Sequence, residues 1–134
     1  MAFFAGVKVQ LLDDEKSIVT VKYRWLTKNP FRSMYFACEA MAAEMATALP
    51  VLNCIYKNNP AISMLIVSNQ ASYFKKATGK ISFKCEDVKM ITENINKLKN
   101  TKEAIVLDIK AKGFDEAGDC VAEFYFAWSL KSKA

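Results

Sequence analysis

Sixteen consecutive residues, Met34 to Leu49, read MYFACEAMAAEMATAL and carry only two charges, Glu39 and Glu44. Ala, Met and Leu lose little side-chain freedom in a helix, so the stretch predicts one. A helix on a protein surface needs a wide polar face, and this one has none. It must therefore lie under protein on most of its sides, and the remaining residues must supply the wrapping. Lys28-Asn29-Pro30 interrupts the chain before it, because Pro30 has no N–H and pushes Asn29 out of helical space. Ser33 is placed to cap the helix, and Pro50 predicts its end.

The rest of the chain reads mainly as strands. Over Ser17 to Leu26, Val19, Val21, Tyr23 and Trp25 fall on one face and Thr20, Lys22 and Arg24 on the other, the period of a half-covered strand. Val7 to Leu12 predicts a shorter partner, joined through the polar turn Asp13 to Lys16. Ile62 to Tyr73 is apolar and β-prone, and Lys75-Lys76-Ala77-Thr78-Gly79 turns it into a strand over Lys80 to Cys85. Val88, Ile91, Ile95 and Leu98 are spaced as one face of a short amphipathic helix. Ile105 to Lys112 and Ala122 to Leu130 alternate again, with Gly113 to Gly118 connecting them. A mostly antiparallel sheet curved around one apolar helix satisfies both patterns, which predicts an α+β fold in a single domain spanning residues 1–134.

Composition narrows the chemistry. The sequence has no His, which removes Ser-His-Asp hydrolysis, Cys-His proteolysis and His-ligated zinc. Nineteen Lys and Arg against fourteen Asp and Glu give +5, but the bases are dispersed and the pair Lys131 and Lys133 is too short for a nucleic-acid arm, so no nucleic-acid partner is expected. Cys38, Cys54, Cys85 and Cys120 share no C-x-x-C spacing and sit in apolar or alternating segments, as reduced, buried thiols do; no disulfide is expected. Met1 to Val7 lacks the basic start and length of a leader, and nothing resembles a membrane span. These features predict a cytoplasmic protein without membrane insertion.

Asn29-Pro30-Phe31-Arg32-Ser33-Met34-Tyr35-Phe36-Ala37 resembles the Asn-x-x-Gly-[Thr/Ser]-Met-Tyr-Phe-Gly lead-in to the central helix of hotdog-fold acyl-CoA thioesterases, in the DUF4442 branch near the PaaI-like enzymes. Glu44 follows Asn29 by fifteen residues, the spacing at which that family places its helix carboxylate. Tyr73 to Gly79 resembles the family's strand–turn–strand segment, and Gly118 to Lys131 its final strand. The sequence departs from the pattern at Arg32, where the family often has Gly. It departs again at Tyr35, where PaaI-like members carry His, and at Phe36-Ala37, where they carry Gly-Gly.

The resemblance implies a hotdog fold, an antiparallel sheet wrapped around one long helix. It also implies a homodimer, with tetramers common in the family, whose sites lie across the subunit interface. Asn29 and the helix start of one subunit would face Glu44 of the other. Thioester hydrolysis needs an activated water or a carboxylate nucleophile, and donors aimed at the developing oxyanion. Glu44 is the candidate base or nucleophile, though a helix carboxylate at such a position can equally be salt-bridged. Asn29 can orient a water or carbonyl, or simply serve the turn. Tyr35 can donate its hydroxyl or pack in the core.

The backbone N–H groups of Phe36 and Ala37, at the positive end of the helix, are the candidate oxyanion donors. Lys75 and Lys76 can reach a coenzyme A phosphate, or be solvated turn residues. Glu39 lies about 140° around the helix from Glu44 and is expected to be structural or solvent-facing. No metal or bound cofactor is needed, coenzyme A entering only as part of the substrate. The alternative is a non-catalytic hotdog module that binds acyl thioesters or lipids.

Overall fold

The computed structural model describes residues 6–22, 33–58, 61–98 and 100–133. Along the chain come β1 (Lys8–Leu12), β2 (Ser17–Lys22), α1 (Phe36–Asn58), β3 (Ile62–Tyr73), β4 (Lys80–Cys85), α2 (Val88–Leu98), β5 (Ile105–Phe114) and β6 (Cys120–Ser132). The strands form one antiparallel sheet in the order β1-β2-β4-β5-β6-β3. Helix α1 packs against β2, β4 and β5 and against α2. A sheet wrapped around one long helix is the hotdog fold. Tyr23 to Leu26 of the first alternating segment, and Asn29 with its neighbours, lie outside the described residues.

Local chemistry accounts for the connections. In the β1–β2 turn, Asp13 Oδ1 accepts the N–H groups of Glu15 at 2.8 Å and Lys16 at 2.9 Å, which holds its carboxyl below the usual range. Strand β4 pairs with β5 only at Ser82 to Lys84, and farther along β5 the Asp87 carboxylate takes the Lys110 N–H at 2.9 Å. Val88, Ile91, Ile95 and Leu98 of α2 are buried, as their spacing requires. Gly113 lets β5 pass under an aromatic ring, since a Cβ there would come within 2.6 Å of Phe83. All four cysteines are free thiols; Cys54 and Cys85 are buried, Cys38 and Cys120 half-buried.

One expectation for α1 needs correction. The helix does not end at Pro50 but runs through it to Asn58. Val51 and Cys54 prolong the buried face begun by Ala42, Ala43, Ala46 and Thr47, and that burial outweighs the single backbone hydrogen bond the proline removes. The helix is covered on most sides, as its composition predicts, apart from one stripe. Ala37, Glu44, Leu52 and Tyr56 are exposed and Met41 and Ala48 half-buried, leaving a largely apolar stripe in water with Glu44 in its middle.

One polar link crosses the core. Trp128 Nε1 donates to Thr47 Oγ1 at 3.0 Å, and that hydroxyl donates to the Glu44 carbonyl at 2.9 Å. Both side chains are buried, so Thr47→Val leaves the indole N–H without a partner and is expected to cost about 1–3 kcal/mol, read as a fall of several degrees in Tm. Combining Thr47→Val with Trp128→Phe removes both partners, and the pair is expected to lose less stability than the sum of the two single variants.

Candidate functional site

The first turn of α1 opens into a cleft of about 470 Å³ against the loop that follows β3. Main-chain bonds fix the two walls: the Met34 N–H donates to the Ala77 carbonyl at 2.8 Å, and the Phe74 N–H to the Val121 carbonyl at 2.8 Å. The hairpin between β5 and β6 clamps the loop from outside. Lys75 Nζ donates to Asp115 Oδ2 at 2.7 Å and Asp119 Oδ2 at 2.9 Å, while Glu116 Oε1 accepts the Lys80 N–H at 3.1 Å. Asp115 also accepts the N–H groups of Ala117 and Asp119 through Oδ1, which tightens the turn. Hydrogen bonding to the two aspartates raises the Lys75 pKa, and Lys75 in turn lowers that of Asp115.

Four aromatic residues, Tyr35, Phe36, Tyr73 and Phe74, stand around this cleft. The Tyr35 and Phe36 rings meet edge to face at 5.1 Å, and Tyr73 lies edge-on to the core ring of Phe124 at 5.7 Å. All four cleft aromatics are exposed, Phe36 to 59% and Phe74 to 60%, an apolar collar that a single chain leaves in water. An α-helix leaves the N–H groups of its first turn without intrahelical partners. Here the Cys38 N–H is taken by the Tyr35 carbonyl at 2.9 Å. The amides of Phe36 and Ala37 remain at the positive end of the helix, beside the cleft.

Glu39, expected to be structural or solvent-facing, lines this cleft and is buried, so the solvent-facing alternative does not hold. It is only 4% exposed, and its Oε1 has no hydrogen-bond partner among the described residues. Burial alone pushes its pKa up to about 7. The Tyr73 hydroxyl and the Cys38 thiol are both raised by burial first and by the charge of Glu39 second. The signal for this placement was available: Glu39 precedes the fully buried Ala42, Ala43 and Ala46 by three, four and seven residues, so it belongs to the face turned toward the sheet.

The other expected site residues divide between two surfaces. Tyr35, Phe36, Lys75 and Lys76 line the same cleft as Glu39. Ala37 is exposed in the first turn of α1. Glu44 is exposed on the opposite side of the helix and is not among the residues lining this cleft. Lys75, expected at a coenzyme A phosphate, is held by two carboxylates. Among the described residues no three Asp, Glu or Cys side chains converge to hold a metal ion, and no helix is long and apolar enough to cross a membrane.

No family model matches the chain, and no curated protein does. Solved structures do match it. A protein of unknown function from Chlorobaculum tepidum superposes with a TM-score of 0.83 at 14% identity, covering 98% of this chain and 86% of that one. A thioesterase from Haemophilus influenzae superposes with a TM-score of 0.74 at 11% identity, covering 98% and 82%. A thioesterase enzyme from Staphylococcus aureus gives 0.70 at 12%, covering 95% and 94%. At these identities the likeness is one of fold.

The raised pKa of Glu39 sets a pH dependence of stability. Below about 4.5 the carboxyl is protonated in both folded and unfolded chains; between there and about 7 only the folded chain keeps the proton, so folding stability falls as pH rises through that window. The full loss is on the order of 3 kcal/mol. With no histidine in the chain, few other groups titrate there. Urea unfolding at pH 5 and pH 8 is expected to show lower stability at pH 8, and Glu39→Gln to abolish most of that difference.

Proposed function

We propose that the protein hydrolyses the thioester of a small or medium acyl-CoA, working as a homodimer in which each cleft is completed across the interface. The observation that carries this reading is the cleft itself. At the mouth of one 470 Å³ pocket, the amide-bearing first turn of the central helix meets a ring of uncovered aromatics. The Phe36 and Ala37 amides are positioned to hold the thioester carbonyl as it gains negative charge, with the Tyr35 hydroxyl as a further donor. Asn29, in the lead-in to this turn, would orient the attacking water, and Glu44 of the partner subunit would act as base or nucleophile. Lys76, which lines the cleft beside Lys75, would meet a coenzyme A phosphate.

The surface of the chain supports a second copy. Strand β3 lies at one edge of the sheet, is twelve residues long and contains no charge and no proline. Such an edge is a template for pairing with another strand. The opposite edge, β1, is five residues long, begins with Lys8 and is bulged between Val9 and Leu11, as protected edges are. Strand β3 ends at Tyr73, beside the cleft, so a copy paired along it would reach the aromatic collar. Support for the carboxylate comes from the S. aureus protein, of which variants at a glutamate and at a glutamine exist; the two stand fifteen positions apart in its sequence, as Asn29 and Glu44 do here.

The side chains of Tyr35 and Phe36 crowd the helix start and favour the second reading, a module that binds acyl thioesters without cleaving them. Thiol release from a panel of acyl-CoAs decides between them. The expected result is turnover by the wild type and a loss of more than about a hundredfold in folded Glu44→Gln, with Asn29→Ala reduced as well. Tight binding with no thiol released would favour the module. Val67→Pro on the free edge of β3 is expected to shift the protein to monomer in sedimentation or scattering measurements, with activity falling in parallel.

A further inference from the structure

We infer that the cleft selects ligands whose acyl part carries a hydrogen-bond-donating group, a hydroxyl or an ammonium, with the Glu39 carboxyl as its acceptor. This rests on the acyl-thioester reading above and narrows its substrate class. Glu39 lines the cleft, is only 4% exposed, and has an Oε1 with no partner among the described residues. A buried acceptor left unmatched is unfavourable, and a saturated alkyl chain filling the cleft would seal this one against hydrocarbon. A ligand that brings a donor satisfies it. A site built around such a bond rejects the analogue lacking the donor far more strongly than an apolar pocket rejects one missing methylene.

The surroundings suit this role. Lys75, which lines the cleft, is already held by Asp115 and Asp119, and that cluster carries one net negative charge. The rings of Tyr35, Phe36, Tyr73 and Phe74 offer faces that an ammonium can also use. Burial holds Glu39 near neutrality in its proton equilibrium, so the carboxyl can accept from a hydroxyl in either state and pair with an ammonium when ionised.

The test uses matched sets that differ in one terminal group. Butyryl-, 3-hydroxypropionyl- and 3-aminopropionyl-CoA form one set; heptanoyl-, 6-hydroxyhexanoyl- and 6-aminohexanoyl-CoA form a longer one. Thiol release is measured on each, and calorimetry gives Kd for the corresponding S-alkyl-CoA thioethers, which cannot be hydrolysed. In the wild type, a donor-bearing ligand is expected to exceed its alkyl match at least tenfold in one set, in kcat/KM and in affinity. Glu39→Met is expected to bring that ratio to near one. Glu39→Gln, which keeps an acceptor oxygen and the shape, is expected to retain hydroxyl preference and lose ammonium preference.

Alkyl ligands binding as well as donor-bearing ones in both sets would overturn the inference, as would a ratio unchanged in folded Glu39→Met. An equal loss of turnover on every substrate in Glu39→Gln, with thioether ratios untouched, would place Glu39 in the chemistry and also overturn it. Donor preference in thioether binding with no thiol release from any acyl-CoA would remove the hydrolase and leave the inference standing.

Discussion

The fold depends on seating one helix face, made mostly of small residues, against a sheet that carries large ones. Ala42, Ala43 and Ala46 are fully buried and let α1 approach closely, while Phe83, Phe124, Phe126 and Trp128 fill the space from the sheet side. Phe124 packs edge-on to Phe83 at 5.8 Å and stacks on Phe126 at 5.9 Å. Small residues facing large ones achieve interior packing density without strain. The hydrogen bond between Thr47 and Trp128 adds a directional constraint to the apolar contacts around it. With α1 fixed in this way, its first turn is held against the loop after β3, and the cleft follows from that placement.

Much of this was legible in the residues. Lys80–Cys85 and Val88–Leu98 could be read to their ends because each has one clear period, and Ile62–Tyr73 because its apolar, β-prone run is bounded by loop and turn residues. Pro50 misled because a local rule gave way to tertiary burial: the apolar face continued beyond it at Val51 and Cys54. The side of α1 turned inward was harder to read. When nearly every residue is apolar, hydrophobicity carries no phase, and only the small size of Ala42, Ala43 and Ala46 marks the contact face. The solvent-facing alternative for Glu39 stayed open for this reason, while the family resemblance drew the reading to Glu44, and Asn29 lies outside the described residues.

The two helix carboxylates thus have opposite settings. Glu44 sits in water in a stripe that is largely apolar. Glu39 is buried, and its Oε1 has no hydrogen-bond partner among the described residues to offset its desolvation. A helix that needed only to bury itself would carry another alanine at position 39, since an unmatched buried carboxyl opposes folding. The cost is tolerated where the start of α1 meets a cavity.

That location ties the proton on Glu39 to the contents of the cleft. A hydrogen-bond donor or an ammonium placed against Oε1 stabilises the ionised form and lowers the pKa, whereas a hydrocarbon displacing solvent stabilises the neutral form and raises it. Linkage makes the relation reciprocal: a ligand that favours one protonation state binds more tightly when that state is already populated. Because the unoccupied value lies at about 7, either change crosses neutral pH, and a cleft with an ordinary surface glutamate would show neither. The helix, rigidly seated by its alanine face, keeps the carboxyl from turning out to solvent, so the coupling is a property of the fold as much as of the residue.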